Sequence, residues 1–140
     1  MRLENFKIID SIAIEYGGYY LDLHNNFNFV GLVYDVPRQR IELEWNKNLG
    51  EWSRNERYEK IKLTFDAVSV FCVRARDQAK PFSEDECLSY IGYLHPDDMD
   101  VMDGFLPVGQ SSDDYHVILG FEGGLVIKLY SRIARVEVLC

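Results

Sequence analysis

The sequence of 140 residues predicts a mainly β fold of the α+β class, with an antiparallel sheet built from about three hairpins and one short helix. Three observations predict it: apolar and polar residues alternate with a period of two in several segments, glycine or proline separates those segments, and aromatic residues make up 14% of the chain. A chain of this length buries a core without a metal or disulfide framework, and no segment reads as a linker. We therefore expect a single domain over residues 1–140.

The first predicted hairpin lies over residues 29–45. FVGLVYD has the composition of a strand, and in RIELEWN the side chains of Ile41, Leu43 and Trp45 alternate with glutamates, as a half-buried strand requires. Pro37 between the two segments fixes φ and removes a ladder donor, which favours a turn. Upstream, SIAIEY is a further candidate strand that Gly17-Gly18 would end.

Two more hairpins are predicted downstream. EKIKLTF alternates over residues 59–65, and we expect Asp66-Ala67 to turn the chain into a buried strand, VSVFCVRA. YHVILGF and LVIKLY alternate on either side of Glu122-Gly123-Gly124, which is typical of a tight hairpin turn. The closing segment, IARVEVL, indicates a last strand.

The short helix is predicted near residues 83–94. Ser83 and Glu86 have the spacing of a capping box, and apolar residues follow at helical spacing. His95-Pro96 would end the helix, because the residue before proline disfavours helical geometry. A strand across CLSYIGYL is the alternative, since periodicity over so few residues fits both structures.

Charge divides the chain. The net charge of −8 argues against nucleic acids and anionic membranes as partners. No Lys or Arg occurs between Lys80 and Lys128, whereas ten acidic residues do, and a long acidic loop is predicted over residues 97–114. This loop is either a solvated connection or a surface that binds a protein partner. The predicted partner-binding residues are its six aspartates and two aromatic anchors: Asp97, Asp98, Asp100, Asp103, Asp113, Asp114, Tyr93 and Phe105.

Motifs for catalysis and metal binding are missing from the sequence. It has no nucleophile elbow, phosphate loop or dinucleotide fingerprint, and its histidines form no HxxxH, HxH or HExxH pair. The spacing of the aspartates over 97–103 does not fit a calcium loop, because a methionine falls where an oxygen ligand is due. We therefore predict no catalytic residue, no metal site and no cofactor. One alternative is a small-ligand protein or enzyme whose pocket is lined by Tyr19, Tyr20, His24 and Trp45.

The three cysteines are odd in number and widely spaced, without a CxxC pair that would indicate zinc or redox chemistry. The first residues lack the apolar run of a signal peptide, and no stretch approaches the roughly 20 apolar residues that cross a bilayer. These features predict a protein of the reducing cytoplasm.

The order of LHNNFNFVGLVYD, RIELEW, IKLTFDAVSVFCVRA and VILGFEGGLVIKLY resembles a family of small bacterial β-rich immunity proteins from polymorphic toxin systems. The shared features, over roughly residues 20–130, are a His-Asn/Asp segment before the first hairpin, a strand ending in Phe-Asp/Glu-x-Val, and the closing FEGG hairpin. The resemblance implies a non-catalytic protein that binds and silences a cognate toxin, such as a basic toxin domain, without a cofactor. An acidic surface would speed that association by electrostatic steering. A homo-oligomeric structural module, such as a homodimer joined through an exposed strand edge, is the second alternative.

Overall fold

The computed structural model describes residues 1–106 and 113–140, and it confirms a mainly β chain with antiparallel pairing. The strands of this part of the chain are β1 (Arg2–Leu3), β2 (Lys7–Ile8), β3 (Ala13–Tyr16), β4 (Tyr19–Asp22), β5 (Phe27–Asp35), β6 (Arg40–Lys47), β7 (Lys60–Arg74), β8 (Leu88–Leu94), β9 (His116–Phe121) and β10 (Val126–Leu139). A large sheet has the order β5-β6-β7-β10-β9-β8, with β1 parallel to β10, and a small sheet has the order β2-β3-β4.

Two of the three predicted hairpins are confirmed. β5 and β6 pair in antiparallel register from Phe27↔Lys47 to Asp35↔Arg40, with Pro37 in the connecting turn. β9 and β10 pair across the turn at residues 122–125. The candidate strand in SIAIEY is β3, which pairs with β4 across Gly17-Gly18.

The predicted turn at Asp66-Ala67 is wrong, because β7 continues through it as one strand of 15 residues. Ala67 adopts a positive φ of 57°, and the register with β10 shifts between Tyr130 and Ser131, so an irregularity replaces the turn. The Asp66 carboxylate accepts hydrogen bonds from Arg40 Nε at 2.6 Å and from Arg135, which holds this irregularity against both neighbouring strands. Likewise, IARVEVL is the second half of β10 and not a separate strand.

The predicted helix near residues 83–94 is also wrong. Residues Phe82–Glu86 form a short 3-10 helix without a side-chain capping bond, and the alternative interpretation of the following segment, a strand, is correct. β8 pairs with β9 from Leu88↔Phe121 to Leu94↔His116 and is buried over most of its length. Burial on both faces explains the apolar spacing that suggested a helix. No α-helix occurs in the described residues, and none of their helical segments could span a bilayer.

The long strands β7 and β10 pair along almost their whole length, and they organise the rest of the molecule. β6 pairs with the first part of β7, and β9 pairs with the first part of β10. The β5–β6 hairpin and the β8–β9 pair therefore lie on opposite sides of the β7–β10 pair. The large sheet curls so that the ring of Phe29 on β5 lies 4.5 Å from that of Phe121 on β9. One main core forms inside this curl, and the small sheet contributes Ile8, Ile14 and Leu21 to it.

A second, smaller apolar cluster lies outside the main core. It consists of Leu94, Ile118 and Val126, with Val101 and Met102 packed against it. β9 is buried along its whole length, because the main core covers one of its faces and this cluster lies on the other. The segment after β8 therefore packs against the large sheet in addition to carrying negative charge.

Candidate functional site

The segment 95–106, here called the acidic loop, is held to the sheet by a buried lysine. Lys128 on β10 is fully buried, and its Nζ donates hydrogen bonds to the backbone carbonyls of Asp98 at 2.7 Å and Val101 at 3.0 Å, and to that of Met99. A buried ammonium group requires such acceptors, because an unpaired charge is costly outside water. The backbone of the acidic loop is therefore directed inward.

Aromatic and backbone contacts hold the far end of the acidic loop. The ring of Phe105 stacks on that of Tyr90 with centroids 5.4 Å apart, and Leu106 N donates to Tyr93 O at 2.7 Å. Gly92 permits this close approach, since a Cβ there would lie 2.6 Å from the Cβ of Phe105. The loop is thus anchored at several points by groups other than its carboxylates.

The predicted partner-binding aspartates lie mostly in solvent. Asp98 is half-buried, and the other five are exposed: Asp97, Asp100, Asp103, Asp113 and Asp114. The last two come just before β9, whose first residue pairs with the last residue of β8, so both groups of aspartates adjoin the same end of the β8–β9 pair. Residues 107–112 of the predicted loop lie outside the described residues.

The two predicted aromatic anchors differ in exposure. Phe105 is 40% exposed and is available for contact, whereas Tyr93 is 6% exposed and belongs to the main core. The prediction that Tyr93 contacts a partner does not fit this position, because β8 is buried on both faces.

His116 is the first residue of β9 and lies near Lys128 of the neighbouring strand β10. It is buried, its Nδ1 has no hydrogen-bond partner among the residues that the structure describes, and its ring lies 5.6 Å from that of Tyr130. Burial first, and then the positive charges of Lys128 and the Met1 amino group, lower the pKa of His116 below its ordinary value of 6.5. The imidazole is therefore neutral at pH 7.

The four residues of the predicted pocket have separate neighbours. Trp45 is fully buried, with its ring 5.1 Å from that of Phe29. The Tyr19 hydroxyl accepts a hydrogen bond from Arg57. Tyr20 donates to Asp10 Oδ2 at 2.7 Å, and this bond, followed by burial, raises the pKa of Tyr20 to about 12. An open cavity of about 620 Å³ lies elsewhere, and its lining, which includes Phe29, Lys47 and Asp85, contains none of the four.

His24, the fourth of those residues, meets two side chains that the sequence interpretation did not connect with it. His24 lies in the turn between β4 and β5, Cys87 immediately precedes β8, and Glu122 immediately follows β9. One ligand atom from each of the three lies within 4.8 Å of the others, and all three residues are half-buried. We call this group the His-Cys-Glu cluster. His95 has a different partner, since its Nδ1 accepts a hydrogen bond from Asp97 N at 3.1 Å.

Local hydrogen bonds position each member of the His-Cys-Glu cluster. Asp22 Oδ1 accepts from the backbone N–H of His24 at 3.0 Å and so shapes its turn. His24 Nδ1 lies 2.5 Å from the carbonyl oxygen of Leu88. Because a carbonyl only accepts, Nδ1 carries the proton and the lone pair of the ring lies on Nε2. Glu122 N donates to Cys87 O at 2.9 Å, which joins the remaining two members.

The thiol of Cys87 is not an activated nucleophile. Burial raises its pKa, and the nearby charges of Glu122, Glu84 and Asp22 raise it further. Reactive cysteines require the opposite environment, in which positive groups stabilise the thiolate. The group offers nitrogen, sulfur and oxygen ligands in a negatively charged setting, which is chemistry suited to a cation.

No protein-family model matches this chain, and comparisons with curated proteins and with solved structures find no match.

The edges of the large sheet bear on the predicted homodimer. β8 is covered at its edge, since Ile91 N donates to Ser11 O at 2.7 Å and Tyr93 bridges to Leu106. β5 has a strand neighbour on one side only among the described strands, and its Val30 and Val33 are more than half exposed. Association through this edge stays a prediction.

Proposed function

We propose that the protein is a non-catalytic, cytoplasmic binding protein that captures a basic protein partner through the acidic loop, as an immunity protein captures and neutralises its cognate toxin. The observation that supports this proposal is an anchored loop that exposes Asp97, Asp100 and Asp103 within an interval of sequence free of Lys and Arg. The sequence resemblance to immunity proteins supports the same function.

The anchoring of the acidic loop favours binding. A surface that is ordered before it meets its partner loses less conformational entropy on association than a mobile loop does. The bonds from Lys128 to backbone carbonyls provide that order without using any carboxylate of the loop. The exposed aspartates therefore remain available to a basic partner.

Electrostatics determines how this surface would act. Clustered charge of one sign raises the rate of encounter with an oppositely charged protein, and salt weakens the effect. The ammonium group of Lys128 lies beneath the loop and offsets one unit of its charge, but several exposed carboxylates remain in front of it. The ring of Phe105, 40% exposed and stacked on Tyr90, adds an aromatic contact beside these charges.

The experiment uses the protein encoded by the adjacent reading frame, produced together with the wild-type chain or with the triple variant Asp97→Asn, Asp100→Asn, Asp103→Asn. We expect the neighbouring protein to stop growth when produced alone and the wild-type chain to restore growth. The triple variant should restore growth poorly and bind the neighbouring protein at least about tenfold more weakly than the wild-type chain does. Raising the salt concentration from about 0.1 M to 1 M should weaken binding by the triple variant less than it weakens binding by the wild-type chain.

The matched control removes the same number of negative charges at exposed positions elsewhere, Glu4→Gln, Glu51→Gln and Glu137→Gln. It should bind as the wild-type chain does. Equal binding by the triple variant, or equal weakening by the control, would show that the acidic loop is not the binding surface. A neighbouring protein that has no effect on growth would contradict the role as an immunity protein.

A further inference from the structure

We propose that His24, Cys87 and Glu122 bind one zinc ion through three protein ligands, leaving a fourth coordination position open. This inference does not depend on the proposed binding function, because the His-Cys-Glu cluster and the acidic loop adjoin opposite ends of β8.

The set of ligands favours zinc. Imidazole nitrogen, thiolate sulfur and carboxylate oxygen are the three ligand types that Zn²⁺ takes in proteins, and sites with three protein ligands keep one position for water or substrate. Thiolate disfavours Mg²⁺ and Ca²⁺, which prefer oxygen ligands only. The three ligands of the cluster therefore favour a borderline-soft divalent ion such as Zn²⁺ over Mg²⁺ and Ca²⁺.

The geometry requires only a small adjustment. Zinc lies about 2.0–2.3 Å from nitrogen, oxygen and sulfur ligands, so tetrahedral ligands lie about 3–4 Å from one another. The three ligand atoms lie within 4.8 Å of one another. Side-chain rotation in half-buried residues can close that difference.

The hydrogen bond of His24 matches the usual surroundings of a metal ligand. A metal-bound histidine almost always donates its other ring N–H to a carbonyl or carboxylate, which fixes the tautomer and the ring. The carbonyl of Leu88, 2.5 Å from His24 Nδ1, is such a partner, and the same ring nitrogen lies 3.5 Å from Cys87 Sγ. The backbone bond from Glu122 N to Cys87 O holds the other two ligands in neighbouring positions.

The charges around the cluster also favour a cation. The carboxylates of Asp22 and Glu84 act on Cys87 together with that of Glu122. Lys80 is a nearby basic group, and its Nζ donates at 2.8 Å to the backbone carbonyl of Glu122. On binding, the Cys87 thiol gives its proton to solvent and its sulfur bonds to the metal, so one proton is released for each ion bound.

The test is a titration of the full chain, stripped of metal with a chelator, with Co²⁺ alone and then with Zn²⁺. We expect one Co²⁺ per chain, with the near-ultraviolet charge-transfer absorption of a cobalt–thiolate bond, and displacement of Co²⁺ by Zn²⁺. Cys87→Ser should abolish that absorption. His24→Gln and Glu122→Gln should weaken Zn²⁺ binding at least about tenfold, since even the loss of a residue that only orients a ligand costs about 10–100-fold.

The matched controls are Cys72→Ser, a half-buried cysteine on β7, and Cys140→Ser, an exposed one. Both should keep the absorption and the affinity of the wild-type chain. Absence of the thiolate band in the wild-type chain, its survival in Cys87→Ser, or its loss in Cys72→Ser would overturn the site.

Folding of each variant is measured first by circular dichroism without metal. If Cys87→Ser does not fold, Glu122→Gln decides, because it keeps the size of the side chain and all three cysteines. It should show a cobalt–thiolate band only at higher Co²⁺ concentration, and an affinity equal to that of the wild-type chain would overturn the role of Glu122 as a ligand.

Discussion

The two ends of the β8–β9 pair use polar groups in opposite ways. At one end, the acidic loop directs its backbone inward to Lys128 and leaves most of its carboxylates in solvent. At the other end, the His-Cys-Glu cluster gathers three half-buried side chains whose ligand atoms lie within 4.8 Å of one another. Exposed charge suits contact with a large partner, whereas enclosed charge suits a small cation. The proposed protein-binding surface and the proposed metal site therefore lie at opposite ends of the β8–β9 pair.

The distance between these ends makes them independent. Seven residues of β8 separate them, and a strand rises about 3.3 Å per residue, so they lie about 23 Å apart. Substitutions this far apart without shared partners usually have additive effects on stability. Changes at the acidic loop should therefore leave metal affinity unchanged, and changes at the cluster should leave partner binding unchanged.

The largest effect is expected at the acidic-loop end, from Lys128→Met. This substitution keeps the length and apolar character of the side chain but leaves three backbone carbonyls without their donor. An unpaired buried polar group costs about 1–3 kcal/mol, and partial opening of the acidic loop would let water reach some of the three carbonyls. We therefore expect the free energy of unfolding, measured in urea, to fall by about 3 kcal/mol.

Lys62→Met is the control for Lys128→Met. Lys62 is a partly exposed lysine on β7 that pairs with Glu42 at 3.6 Å, and its loss should cost no more than about 0.5 kcal/mol. Equal stability of the two variants would show that Lys128 does not hold the acidic loop.

An intermediate effect is expected from the pH dependence of His116. Its pKa is lowered in the folded state, so below pH 6.5 the unfolded state binds the proton more readily, and stability is lost as the pH falls towards the folded pKa. One proton corresponds to a slope of at most about 1.4 kcal/mol per pH unit. His116→Gln should remove this contribution.

The measurement compares urea unfolding of the wild-type chain and His116→Gln from pH 8 to pH 5. The difference between their free energies of unfolding should be constant above pH 7 and shift in favour of the variant below pH 6.5. A difference that is constant over the whole range would contradict a lowered pKa for His116.

The smallest effect on stability is expected at the cluster end, from Glu122→Gln in the metal-free chain. The carboxylates of Glu122, Glu84 and Asp22 all lie near Cys87 and carry charge of the same sign. Removal of the charge on Glu122 therefore lowers the repulsion among these carboxylates. We expect the free energy of unfolding to stay the same or to rise by up to about 0.5 kcal/mol. A loss of more than about 1 kcal/mol in thermal or urea unfolding would assign Glu122 a structural role.

The acidic-loop end could be predicted from sequence because its signals are local. The absence of Lys and Arg between residues 81 and 127 is visible in the sequence itself, and so is the alternation that gives β6 and β9. The role of Lys128 was not visible, because a lysine in an alternating strand is normally taken to face solvent. Its burial depends on a loop that folds back from 27–30 residues earlier in the chain.

The cluster end could not be predicted, because its residues come from distant parts of the chain. His24 and Cys87 are 63 positions apart, and no local motif joins them. The wrong helix near residues 83–94 added to this, since it placed Cys87 inside a helix and not at the start of a strand beside Glu122. The FEGG turn was recognised as a turn, but turn chemistry alone does not indicate a ligand.

The position of β10 has a consequence for how the chain folds as it leaves the ribosome. β10 lies between β7 and β9 in the large sheet, yet it is synthesised after both of them and after β1, with which it also pairs. Until it emerges, those strands present unsatisfied backbone edges to the cell, and every nascent intermediate lacks the centre of its sheet. The large sheet is therefore complete only after residues 126–139 have emerged, and the strand edges that await β10 are until then open to pairing with other chains.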